Sequence, residues 1–253
     1  MTALAIIGGT GLTALKSLAI TRREMVHTPF GEPSGPLTFG ELSGKEVVFL
    51  PRHGSAHTIP PHKINYRANI WALHHAGVRR VVAVAAVGGI SAALDGGDIV
   101  VPDQVVDYTW GRDSTFFEEG LSQVTHIDFT DPYSETLRQA LLDAGSQAGV
   151  PLVAGGIYGC TQGPRLETAA EINRMERDGC TLVGMTGMPE AALARELELD
   201  YACCAVVVNK AAGRGKGPIT MEEIEHTLDS AMEKVRRLLE QFLARGAHQG
   251  AGY

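Results

Sequence analysis

Residues 65–89 read NYRANIWALHHAGVRRVVAVAAVGG. From Asn65 to His75 the apolar residues recur at helical spacing, and Gly77 ends that pattern. Arg80 to Val87 is then an apolar run of strand length that stops at Gly88-Gly89. A helix feeding directly into a strand, closed by a glycine turn, is one unit of an α/β fold.

The same alternation extends in both directions. Ala3 to Ile7 reads as a buried strand running into Gly8-Gly9-Thr10-Gly11, and Lys45 to Leu50 as a strand ending at Pro51-Arg52-His53-Gly54. Beyond the central unit, Asp98 to Val105 is a strand interrupted by Pro102, Ser134 to Ala148 a helix, and Gly155 to Cys160 a strand. Thr168 to Asp178 reads as a helix capped by Thr168 with Glu171 three residues on. Thr181 to Met185 is a strand, and Pro189 to Leu197 a helix with proline in its first turn. Tyr201 to Val208 is a nearly continuous apolar strand, and Thr220 to Ala244 a long amphipathic helix with a Thr220/Glu223 capping box. No linker or repeat divides the chain. The expectation is therefore one α/β domain over residues 1–245, built on a central sheet, with a loose tail at 246–253.

Composition narrows the function. A net charge of −7 offers no basic field for nucleic acid or an anionic membrane, so neither is expected as a partner. Any phosphate must be gripped by a few local groups. Cys160, Cys180, Cys203 and Cys204 have no metal-ligand spacing and read as buried free thiols. The opening residues lack a basic leader with a cleavage site, and no apolar run reaches transmembrane length, so the protein is expected in the cytoplasm. A serine hydrolase is excluded by the lack of a GxSxG elbow, and a metallohydrolase by the lack of HExxH or clustered ligands. No metal or cofactor is expected.

The polar signals fall just after strands, where active sites of open α/β sheets gather. Gly8 to Gly11 can cradle an anion with backbone N–H groups or can be a plain tight turn. Arg52 offers a fork suited to phosphate, although Arg52-His53 can equally be a surface arginine and a satisfied histidine. Thr186 can ligate an anion or cap a helix, and Met185 can belong to the core or line a sugar.

Two further residues carry a specific pattern. An Asn amide accepts with its oxygen and donates with its nitrogen, whereas an ionised Glu only accepts. Aimed at a purine, Asn209 would accept from N7–H and donate to O6, while Glu167 accepts from N1–H. That pattern fits hypoxanthine or guanine and misfits adenine, whose N1 is an acceptor.

The chain resembles the trimeric purine nucleoside phosphorylases, on their methylthioadenosine phosphorylase branch. The resemblance rests on IIGGTGL (6–12), TPFGEPS (28–34), RHG (52–54), HTIPPHKINYRANIWAL (57–73), GDIVVPDQ (97–104), QGPRLET (162–168) and MTGMPEAALARE (185–196). It implies a mixed, twisted and partly barrel-like sheet surrounded by helices, a homotrimer, and phosphorolysis of a nucleoside to a free base and a sugar 1-phosphate. Inorganic phosphate is then a co-substrate. By motif, Thr10, Arg52, His53, Ala85, Ala86 and Thr186 fall on phosphate contacts, and Met185 on the ribose. Asn209, Lys210 and Ala211 fall on the base side with Glu167. His126 falls on a residue that reaches a neighbouring subunit's 5′ pocket. Ala85 stands where the family usually has a hydroxyl, so one phosphate donor is missing.

Three positions separate the branches. Asn209 and Glu167 are the 6-oxopurine choices. Met221 replaces the histidine with which inosine/guanosine enzymes bond the 5′-hydroxyl, and with Ile224 and Leu228 it predicts an apolar 5′ pocket. The substrate that satisfies both ends is 5′-methylthioinosine, giving hypoxanthine and 5-methylthioribose 1-phosphate, with a deaminase upstream. Asn209 and His53 are the expected catalytic residues. The alternatives are a general inosine/guanosine phosphorylase, a methylthioadenosine phosphorylase with relaxed base recognition, and a non-catalytic nucleoside-binding protein.

Overall fold

The computed structural model describes residues 4–9, 12, 17–120 and 122–245. Thr10 and the 246–253 tail lie outside them. The centre is the long strand β5 (Arg80–Gly89), flanked by β1 (Leu4–Gly8) and β11 (Asp200–Lys210), both parallel to it. On β5, Val81, Ala83, Ala85 and Val87 face one core and Val82 and Val84 the other. A parallel strand covered on both faces needs this continuous apolar character.

The first core is roofed by α1 (Tyr66–His75) and α4 (Glu190–Glu196), through Ile70, Leu73, Ala191 and Leu193. The second is covered by α2 (Glu135–Ala148) and α5 (Met221–Arg245). On α5, Leu228, Val235, Leu239 and Phe242 form a stripe at helical spacing toward the sheet. Ser134 caps α2, accepting from the Leu137 amide, and Gly149 ends it at φ 63°, a left-handed conformation suited to glycine.

Beyond β1 the sheet continues through β4 (Lys45–Pro51) to an antiparallel edge of β3 (Leu37–Leu42) and β2 (Ala19–Glu24). On the other side of β5 it branches. β10 (Leu182–Gly184) pairs antiparallel with the end of β5 and parallel with β9 (Ile157–Cys160), which pairs with β7 (Gln104–Asp107). β11 pairs with β6 (Ile99–Val101), which pairs with the short β8 (Val153–Ala154). Pro102 and Asp103 separate β6 from β7, and the two branches are joined there by backbone bonds, from the Gly155 amide to the Val101 carbonyl and from the Asp103 amide to the Gly156 carbonyl, rather than by paired strands. The mixed sheet therefore curls without becoming a closed barrel. α3 (Ala169–Arg177) carries the predicted capping box: Thr168 accepts from the Glu171 amide, and Glu171 accepts from the Thr168 amide. Pro189 stands one position earlier than expected, as the N-cap of α4 rather than in its first turn.

Candidate active site

The ends of β1, β4, β5, β10 and β11 open onto one cavity of about 270 Å³. The topology brings them together because β1, β4, β5 and β11 run parallel, so their C-terminal ends lie on one edge of the sheet. Of the residues singled out from sequence, Arg52, His53, Ala85, Ala86, Thr186, Met185, Glu167, Asn209, Ala211 and Met221 all line this cavity. Lys210 does not. Its ammonium donates to the Ala92 and Leu94 carbonyls and lies 2.9 Å from Asp95 Oδ1, which ties the turn after β5 to the end of β11. His126 is exposed and does not line the cavity of the single chain. Leu228, expected beside Met221 and Ile224, instead belongs to the core between α5 and the sheet. The apolar lining at the start of α5 is Ile219, Met221 and Ile224.

Arg52 is 1% exposed and Glu190 fully buried. The guanidinium donates from Nε to Glu190 Oε2 at 2.6 Å and from Nη2 to Glu190 Oε1 at 2.7 Å. Nη1 donates to the Val84 carbonyl at 2.9 Å, and Tyr201 donates its hydroxyl to Glu190 Oε1 at 2.7 Å. Three of the five arginine N–H groups are thereby held, and two remain for an anion. Burial opposes the Arg52 charge, but the field and hydrogen bonds of Glu190 outweigh it, so the guanidinium pKa is raised. Gly9 leaves room for this arrangement, because a Cβ there would lie 2.9 Å from Arg52 Nη1 and 2.6 Å from the Val84 carbonyl.

His53 Nδ1 is 2.8 Å from the Ile59 carbonyl. A carbonyl only accepts, so Nδ1 carries the proton and Nε2 of the neutral ring is its acceptor. Burial, and then the neighbouring Arg52 charge, lower the His53 pKa to about 4. The ring is therefore neutral at neutral pH.

At the Asn209 end of the cavity, β11 carries a bulge between Val207 and Asn209 that sets Asn209 opposite Gly88 instead of one position further along. The Asn209 amide nitrogen donates to the Lys210 carbonyl at 2.7 Å. Because that carbonyl only accepts, the amide orientation is set: one N–H is used, while the second N–H and Oδ1 remain. Glu167 Oε1 accepts from the Thr161 hydroxyl at 2.6 Å.

Glu190, Tyr201, Thr161 and Arg112 were not foreseen. Arg112 donates to the carbonyls of Gln162, Met185 and Met188, joining the two segments that carry Glu167 and Thr186. The one available signal for Glu190 was a carboxylate just after Pro189 at the start of an expected helix, and nothing in the sequence indicated a partner 138 residues away. Among the described residues, no three His, Cys, Asp or Glu side chains cluster to hold a metal. No described helix is long and apolar enough to cross a membrane.

The curled mixed sheet, with its cavity at the ends of parallel strands, matches the fold of solved nucleoside phosphorylases. The chain belongs to the phosphorylase superfamily, whose sequence signature matches residues 3–244. It is 57% identical over 244 residues to a protein of Pseudomonas syringae pv. tomato named "Probable S-methyl-5'-thioinosine phosphorylase", covering 96% of this chain and 99% of that protein. It is 44% identical to the 6-oxopurine nucleoside phosphorylase of Pyrococcus furiosus, covering 94% and 91%. Its fold matches the methylthioadenosine phosphorylase of Schistosoma mansoni in complex with adenine, with a TM-score of 0.93 and 32% identity, over 98% of this chain and 93% of that one.

Proposed function

We propose that this enzyme phosphorolyses S-methyl-5′-thioinosine to hypoxanthine and 5-methylthioribose 1-phosphate, in methylthioadenosine breakdown and purine salvage. The observation that carries the proposal is one cavity lined at once by Asn209 and Glu167, by Met221 among isoleucines, and by Arg52, His53 and Thr186. The name of the Pseudomonas relative supports the same reading.

In the proposed mechanism phosphate is held by Arg52, His53, Thr186, Ala86 and Thr10, which turns a bimolecular attack into a positioned one. Ala85 offers no hydroxyl there. As the glycosidic bond lengthens, the sugar's anomeric carbon becomes cationic and the purine anionic. Phosphate charge stabilises the carbon. A phosphate oxygen bonds the anomeric carbon as the glycosidic bond breaks, and the proton that the hydrogen phosphate gives up passes to N7. Asn209 Oδ1 accepts from that N7–H and the remaining N–H donates to O6, a pair of bonds that strengthens in the transition state. Glu167 accepts from N1–H, and Met185 packs on the ribose. Leaving Glu167 against the N1 lone pair of adenine would reject that base by about 10⁴-fold. Each active site is proposed to be completed in a homotrimer by His126 of a neighbouring subunit. The cytoplasm suits both the free phosphate the reaction needs and the four free cysteines.

A second reading, a broader 6-oxopurine nucleoside phosphorylase, is favoured by the 63% exposure of Met221, which leaves the 5′ end of the cavity open in the single chain. The test offers methylthioinosine, inosine and methylthioadenosine in parallel with phosphate and measures the release of hypoxanthine, or of adenine for the third. Preference for methylthioinosine supports the proposal, preference for inosine supports the second reading, and preference for methylthioadenosine overturns both.

A further inference from the structure

We propose that Thr161 is a positioning residue for base selectivity, its hydroxyl holding the Glu167 carboxylate in the orientation that accepts from the N1–H of a 6-oxopurine. The proposal rests on the reading of Glu167 given above. Thr161 follows the end of β9 and does not line the cavity, so it can act on the base only through another group. Its hydroxyl has one proton and two acceptors in reach: Glu167 Oε1 at 2.6 Å and the Gly184 carbonyl at 3.3 Å. The carbonyl already accepts from the Thr161 amide at 2.8 Å. The proton therefore goes to the carboxylate, in a short charge-assisted bond.

That bond is the only side-chain hydrogen bond to Glu167 among the described residues. The nearby cation does not compete for the carboxylate, because Arg165 makes its bidentate pair with Glu171, at 2.9 and 2.7 Å. The donor itself is rigid. Thr161 is 9% exposed, its backbone is bonded across to the end of β10, and a β-branched side chain has few rotamers. Glu167 is half-buried on the loop before α3, so its orientation depends on this anchor. With Oε1 taken by Thr161, Oε2 remains to meet the base. A polar group held in place before substrate arrives discriminates better than one that must be ordered by it.

The test is a double-mutant cycle on the ratio of kcat/KM for methylthioinosine to that for methylthioadenosine. Thr161→Val keeps the side-chain shape and removes the hydroxyl, and it is expected to lower the ratio about tenfold. Thr161→Ser restores the donor and should recover most of the ratio, which separates the hydrogen bond from any packing effect of valine. In a Glu167→Ala background, Thr161→Val is expected to change nothing further, because the group it positions is gone. An equal effect of Thr161→Val in both backgrounds, or no effect in the first, overturns the inference while leaving Glu167 as the base contact. If Glu167→Ala by itself leaves the ratio at the wild-type value, the base reading falls and the role of Thr161 falls with it.

Discussion

Replacing Glu190 with glutamine tests the most buried charge pair among the described residues. The carboxylate accepts three bonds: Arg52 Nη2 and the Tyr201 hydroxyl on Oε1, and Arg52 Nε on Oε2. A glutamine can keep its oxygen at the first site only by turning its amide nitrogen toward Arg52 Nε, so two donors face each other where 2.6 Å now separates donor from acceptor. Hydrogen bonds to charged groups are worth about 1.5–3 kcal/mol. Stripping one partner from a buried pair costs about 3–5 kcal/mol. Since Arg52 is 1% exposed and water cannot replace the lost partner, Glu190→Gln should cost about 3 kcal/mol. Urea unfolding at fixed protein concentration reads this directly. With a slope of about 3 kcal/mol/M the midpoint falls by about 1 M at unchanged slope. The guanidinium also loses its fixed direction, so KM for phosphate should rise more than KM for the nucleoside. A loss under about 1 kcal/mol together with an unaltered phosphate KM would refute the assignment of Glu190 as the anchor of Arg52.

Three further outcomes are expected. The unfolded state takes up the His53 proton near 6.5 and the folded state only near 4, so this histidine's contribution to stability is complete above pH 6.5 and lost as pH falls toward 4. The loss totals about 3 kcal/mol, so His53→Gln should flatten the pH dependence of stability across that window by a comparable amount, and an unchanged slope would show that the ring is not held neutral. Asn209→Ala should lower kcat by about 10²–10³-fold with little change in KM, and unchanged turnover would remove Asn209 from the mechanism. Met221→His should raise kcat/KM for inosine and lower that for methylthioinosine, the apolar contact being worth about 10–200-fold. If both stay level, the 5′ pocket does not lie at the start of α5.

Much of the fold was legible in the order of residues. The unit at 65–89 became α1 and β5, and the Thr168/Glu171 box formed as its spacing predicted, because helical and strand periodicity and local capping depend on neighbours in the chain. β2, β3 and β8 were not foreseen. β2 is exposed along its whole length and has no apolar pattern to betray it, Gly40 weakens β3, and β8 is two residues long. These strands exist because a partner strand offers hydrogen bonds, and periodicity does not report partners.

The chemistry of the site divides the same way. The amino-acid sequence by itself determined which polar groups stand at strand ends and the donor and acceptor pattern that Asn209 and Glu167 can offer, since these are properties of single residues and short motifs. Only the tertiary structure decided their state. The bulge in β11 set Asn209 opposite Gly88, and the Lys210 carbonyl set its amide orientation. Ile59 assigned the proton of His53, Glu190 oriented Arg52, and Thr161 oriented Glu167. Orientation and protonation depend on which group lies within about 3 Å and how far water is excluded. Residues far apart in sequence acquire those neighbours only when the sheet folds.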